Sequence, residues 1–187
     1  MMNHTLAFIF ALLVTAGPAL ATTGWIAEPD PQTIAWTGTD GSGNTFHGHC
    51  GNFVADIEFD PADLASAALK VTIDAASCVT GDEKKDEYLP QEGWFNVSDY
   101  PKAVFAAKTF RHDSDNKYVA AGTLTLRGAT LPVTLPFTLD ITGDEAHVAG
   151  EVVLNRLDFG VGGGQLASPE AAAPEVTVTI DLHAKRA

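Results

Sequence analysis

Apolar and polar residues alternate with a period of two along most of this chain. In NFVADIEFD (52–60) Phe53, Ala55, Ile57 and Phe59 share one face while Val54, Asp56 and Glu58 share the other. ALKVTID (68–74) repeats the pattern with Leu69, Val71 and Ile73, and LPVTLPFTLDI (131–141) with Val133, Leu135, Phe137, Leu139 and Ile141. EVTVTIDLHA (175–184) does so with Val176, Val178, Ile180 and Leu182. Such alternation marks strands with one buried and one wet face, the signature of an antiparallel sheet. TIAWTG, AVFAAKTF, YVAAGTLTL and HVAGEVVL bring the count to about eight strands joined by short turns. Eight is the number at which a sheet closes on itself and loses its edges. The pattern therefore predicts an all-β, eight-stranded antiparallel barrel, with a sandwich of the same strand count as the alternative.

Helix is scarce. DPADLASA (60–67) has Asp60 as an N-cap and Pro61 at the first helical position, which predicts one short helix. TGDEKKDEYL (80–89), with acids in its first turn and Pro90 after it, predicts a second. Both fall in connections between strands.

The first residues read differently. An apolar run from Leu6 to Ala16, a break at Gly17-Pro18 and the Ala19-Leu20-Ala21 triplet form a removable secretory signal, residues 1–21, although its n-region carries His4 and no Lys or Arg. Residues 22–187 are then the mature domain, expected in an oxidising compartment, the bacterial periplasm. After the signal no apolar stretch reaches the length of a membrane helix, so no stable membrane insertion is expected. The chain carries a formal net charge of −13, which argues against nucleic acid as a partner.

Five stretches, in order along the chain, resemble the YceI-like family: GNFVADIEFDPADL, VTIDAASCVTGDEKKDEYL, WFNVSDYPKAVF, GTLTLRGATLPVTL and NRLDFGVG. The resemblance runs from about Trp25 to the C-terminus. It implies a lipocalin-like barrel whose long interior holds an isoprenoid chain, such as a polyprenyl derivative or a quinone tail, for sequestration or transport. It brings no catalytic residues with it. Lys85 stands where the family usually has Arg, Leu131 where it often has Lys, and Cys50 and Cys78 where cysteine is not expected.

Catalytic signatures are missing from the sequence: no nucleophile elbow, no H-E-x-x-H, no Walker loop. The Gly-rich GVGGG (160–164) lacks the Lys-Ser/Thr of a phosphate loop and reads as a turn. The chain is thus expected to bind rather than catalyse and to need no cofactor beyond a bound isoprenoid lipid or quinone. Trp94, Phe95, Tyr100 and Phe105 are candidates to line the pocket or its mouth, or else to plug a barrel end. Arg156 and Asp158 share the parity of Val152 and Leu154, so both are expected inward. There they would form an ion pair closing one end, or Arg156 would offer a cation to a pyrophosphate or quinone carbonyl.

HGHC (47–50) invites a metal or haem reading, with His47 and His49 as ligands beside Cys50. That would make a redox or metal-handling protein with a membrane redox partner, the alternative function. If instead Phe59 opposes Leu69, then Ile57 meets Val71, Ala55 meets Ile73, and the same register sets Cys50 opposite Cys78, both on the face away from the apolar one. In an oxidising compartment that placement predicts a disulfide, with free thiols or metal ligation as the alternatives. A homodimer is compatible with the sequence but nothing in it specifies one.

Overall fold

A computed structural model describes residues 24–28, 30–168 and 170–187; the signal segment expected at 1–21 lies outside them. The strands are β1 (Gly24–Ala27), β2 (Ile34–Thr39), β3 (Thr45–Cys50), β4 (Phe53–Glu58), β5 (Ala68–Asp74), β6 (Cys78–Val79), β7 (Lys102–Ser114), β8 (Lys117–Leu126), β9 (Ala129–Thr142), β10 (Glu145–Asn155) and β11 (Glu175–Arg186). They form one antiparallel sheet in the order β1-β4-β5-β7-β8-β9-β10-β11-β2-β3-β6, and β1 also pairs with β11. That last pairing closes a ring of eight, the barrel that the alternation predicts.

The other three segments prolong barrel strands past interruptions, so that β1 with β2, β3 with β4, and β5 with β6 each make one broken wall strand. Each break has a local cause. After β1, Pro31 has no N–H to donate to a ladder. There the Asp30 carboxylate accepts from Gln32 N–H at 2.7 Å. Asp74 caps a 3-10 turn, Ala75–Ser77, accepting from Ala76 N–H. Ser77 Oγ then accepts from Asn52 N–H at 3.0 Å, and the Ser77 carbonyl from Gly51 N–H at 3.2 Å, so the second and third breaks brace each other.

These breaks reset which parity faces inward. On β4 the odd residues Phe53, Ala55 and Ile57 line the interior, whereas on β2 and β3 the even residues Trp36, Phe46 and Cys50 do. Strand β7 switches parity within its own length. Its pairing with β8 slips between Ala107 and Thr109, so Phe105 and Phe110 both point in. Gly122 stands opposite Ala107 at that bulge, where a side chain would overlap the Ala106 carbonyl.

Two expectations need correction. The β4–β5 register pairs Phe53 with Ile73, Ala55 with Val71 and Ile57 with Leu69, two residues away from the expected one. The reason is that Phe59 leaves the ladder to join the core, and Asp60–Ala67 turns back without a helix. Asp60 Oδ1 accepts from Ala62 N–H, and the Asp60 and Asp63 carbonyls accept from Asp63 and Ser66 N–H. The second predicted helix does form, as α1 (Glu83–Tyr88), with Asp82 capping the N–H groups of Lys84 and Lys85.

One end of the barrel is filled. Trp25, Phe59, Ala67, Tyr118, Leu139, Ala146 and Ala184 form a buried cluster there. Phe59 meets Phe110 and Tyr118 edge to face at 5.3 and 5.6 Å, and Trp25 Nε1–H donates to the Phe59 carbonyl at 2.9 Å.

Candidate ligand cavity

Between this plug and the opposite end lies an internal cavity of about 310 Å³. Its wall is the inward face of every barrel strand, so the alternation that makes the strands also makes the lining apolar. Thr33, Thr39 and Arg156 are the polar residues among those that line it. Thr33 Oγ1 and Trp36 Nε1 are buried in the wall with no hydrogen-bond partner in the protein.

The end opposite the plug is covered by two connections, 80–101 and 156–174. Asp86 holds the first, accepting from Thr80 N–H at 2.6 Å, Thr80 Oγ1–H at 2.7 Å and Gly81 N–H at 3.0 Å. Burial pushes the Asp86 pKa up, but these three donors together outweigh it and leave the carboxyl below its ordinary value. Gly162 N–H donates to the Gly93 carbonyl at 2.9 Å, joining the two connections. Gly162 has φ +63°, and a side chain there would collide with Arg156 and Trp94.

Arg156 organises the second connection. It is 6% exposed, and all five of its N–H donors are engaged. Nε donates to the Ala173 carbonyl, Nη1 to Val161 and Gly162, and Nη2 to Leu166 and Ala172, at 2.7 to 3.1 Å. Its guanidinium also sits 5.6 Å from the Trp94 ring centroid. Burial lowers its pKa from the usual guanidinium value.

The structure sorts the residues singled out in the sequence. Trp94, Phe95, Phe105 and Arg156 line the cavity. Tyr100 does not; it is 38% exposed and packs over Gly128. Asp158 is exposed and forms no ion pair with Arg156, because the chain leaves β10 for a 3-10 turn at Arg156–Phe159 and strand parity ends there. In place of that ion pair Arg156 binds backbone carbonyls, and it has no donor left for a ligand.

Cys50 and Cys78 are joined by a disulfide and oppose each other on β3 and β6. Both are buried in the cavity wall, not on the outer face, because the breaks at Gly51-Asn52 and Ala75–Ser77 reverse parity between them and the hairpin. The HGHC cluster therefore separates. Cys50 is spent in the disulfide, and His47 is exposed with Nδ1 3.0 Å from Thr37 Oγ1. Large rings that the sequence did not single out as pocket residues also line the cavity, among them Trp36, Phe46 and Phe159. The first two sit beside glycines in their own strands, a signal for large rings that need room.

The family model for the YceI-like domain matches residues 25–184. A UPF0312 protein of Photorhabdus laumondii is 32% identical over 126 residues, 67% of this chain and 65% of that protein. The match thus spans just under two thirds of that curated relative. Among solved structures, BcnA of Burkholderia cenocepacia superposes with a TM-score of 0.76 at 29% identity, covering 80% of this chain and 94% of its own. A polyisoprenoid binding domain from Saccharophagus degradans gives 0.69 at 13% identity, covering 88% and 99%, a likeness of fold.

Proposed function

Since this chain belongs to the YceI-like domain family, we propose that it is a periplasmic lipid-binding protein that holds an isoprenoid chain inside the barrel for sequestration or transport. The observation that carries this reading is the cavity: it runs along the barrel and is walled by apolar side chains, and Arg156, the charged residue among those lining it, is saturated by carbonyls. The enclosed part of the ligand is then hydrocarbon, with isolated polar atoms finding partners only near Thr33 and Trp36. Trp94, Phe95 and Phe105 contact the chain, while the head group lies outside the wall.

Apolar burial supplies the affinity. At about 0.8 kcal/mol per buried CH₂, a five-carbon isoprene unit contributes about 4 kcal/mol before the cost of ordering the chain. The fold similarity to a domain that binds polyisoprenoid supports the ligand class. The signal-like sequence of residues 1–21 and the disulfide, a bond that persists in oxidising compartments, support secretion. The outward faces carry polar residues and the inward faces apolar ones, the reverse of a membrane barrel.

Organic extraction and mass spectrometry of the protein purified from its native compartment test the reading. An isoprenoid lipid recovered near one per chain is expected. Protein that carries none, and takes none up from polyprenol or quinone micelles, would be incompatible with it.

A further inference from the structure

The outer wall of the barrel carries a second cluster, unconnected with the cavity. Val148 and Leu182 face the interior, so their neighbours His147 on β10 and His183 on β11 face out. The two histidines oppose each other directly in the strand register. Their rings stack 4.4 Å apart at 10°. Asp181 projects from the same outward face, with Oδ1 2.7 Å from His147 Nε2 and 3.8 Å from His183 Nε2. The three donor atoms lie within 4.8 Å of one another.

We propose that His147, Asp181 and His183 bind one divalent transition-metal ion, Zn²⁺ or Cu²⁺. Two imidazole nitrogens and one carboxylate oxygen are the donor set such ions take, whereas Ca²⁺ and Mg²⁺ need oxygen alone. With bonds of about 2.0–2.2 Å, tetrahedral donors stand about 3.4 Å apart. The separations of 2.7 and 3.8 Å from Asp181 Oδ1 bracket that value, so small rotations of exposed side chains admit the ion. The backbone is already in place, because the β10–β11 ladder sets the positions of all three residues.

Asp140 stands opposite His147 in the β9–β10 register. The chain's net charge of −13 favours the approach of a cation. Three protein ligands leave a coordination position for water or a group from another molecule. The bound ion cross-links β10 to β11.

Calorimetric titration of ZnCl₂, and separately CuCl₂, into the untagged, chelator-treated full chain tests this. One ion per chain is expected. His147→Ala and His183→Ala should each weaken binding by at least about tenfold, while His47→Ala leaves it unchanged. ZnCl₂ should raise the melting temperature of the wild type and not of the two variants. His147→Gln and His183→Asn, which keep the side-chain volume, should lose the ion in the same way, so misfolding of an alanine variant does not decide the matter. Lack of saturable uptake, or uptake that survives both histidine substitutions, overturns the proposal.

Discussion

Trp36 lies against Gly48, the residue directly across the β2–β3 pair, and Phe46 lies against Gly38 two steps along the same pair. The two rings then meet edge to face, 5.7 Å between centroids. Each ring fills the space that a side chain on its cross-strand partner would need. Gly48→Ala is therefore expected to push the indole into the cavity and to destabilise the protein by about 1–3 kcal/mol, as overpacking does. Urea denaturation gives the loss, and the tryptophan emission spectrum reports the displacement. Unchanged stability and spectrum would contradict the packing described.

The Cys50–Cys78 disulfide spans 28 residues of sequence. Closing a loop of that length stabilises the folded chain by about 3–4 kcal/mol in the chain-entropy account. Denaturation midpoints with and without reductant, and of the double variant Cys50→Ala/Cys78→Ala, should differ from the oxidised protein by that order. Because both residues lie in the cavity wall, lipid retention should fall in parallel.

Arg156→Met leaves the carbonyls of Val161, Gly162, Leu166, Ala172 and Ala173 without their donor. A loss of more than about 3 kcal/mol is expected from several buried acceptors left unpaired. Arg156→Lys, with three donors for five acceptors, should recover only part of it. Limited proteolysis should cut within 160–174 sooner in both. Asp158→Asn, at an exposed site, should stay within about 0.5 kcal/mol of wild type.

Asp86 has a carboxyl held below its ordinary value of 3.8. A depressed folded-state pKa contributes stability above the unfolded value and loses it as the pH falls through the folded one. Asp86→Asn is thus expected to cost about 1–2 kcal/mol at neutral pH, with the difference from wild type vanishing below pH 3.8. Thermal unfolding of both proteins across that range measures it. A difference that persists in acid would point to packing instead.

Ala55 faces the cavity from β4. Ala55→Phe puts a ring into space and not into packed core, so the melting temperature should stay near wild type while bound lipid falls by half or more. Native mass spectrometry reads both forms. Full lipid occupancy in a folded variant would argue against the cavity as the binding place.

The period-two pattern by itself determined the strands and most of their inward faces, because alternation is local and each residue reports its own face; that the sheet closes as a barrel and not a sandwich was decided by the pairing of β1 with β11. Phe53, Ala55 and Ile57 were legible as interior before any tertiary contact was known. Register was not, since a slip of two residues leaves every face unchanged; only the turn that takes Phe59 into the core distinguishes Ile57–Leu69 from Ile57–Val71. The opposition of Cys50 and Cys78 was right, but it comes from β3 and β6 and not from an unbroken hairpin. Their inward orientation depends on breaks that reset parity. The binding partners of Arg156 were beyond reach for a related reason: five carbonyls from a loop carry no side-chain signature. The histidines show the same division. HGHC put imidazoles close in sequence and the fold parted them from Cys50, while His147 and His183, 36 residues apart, meet because two long strands pair in one register and no other.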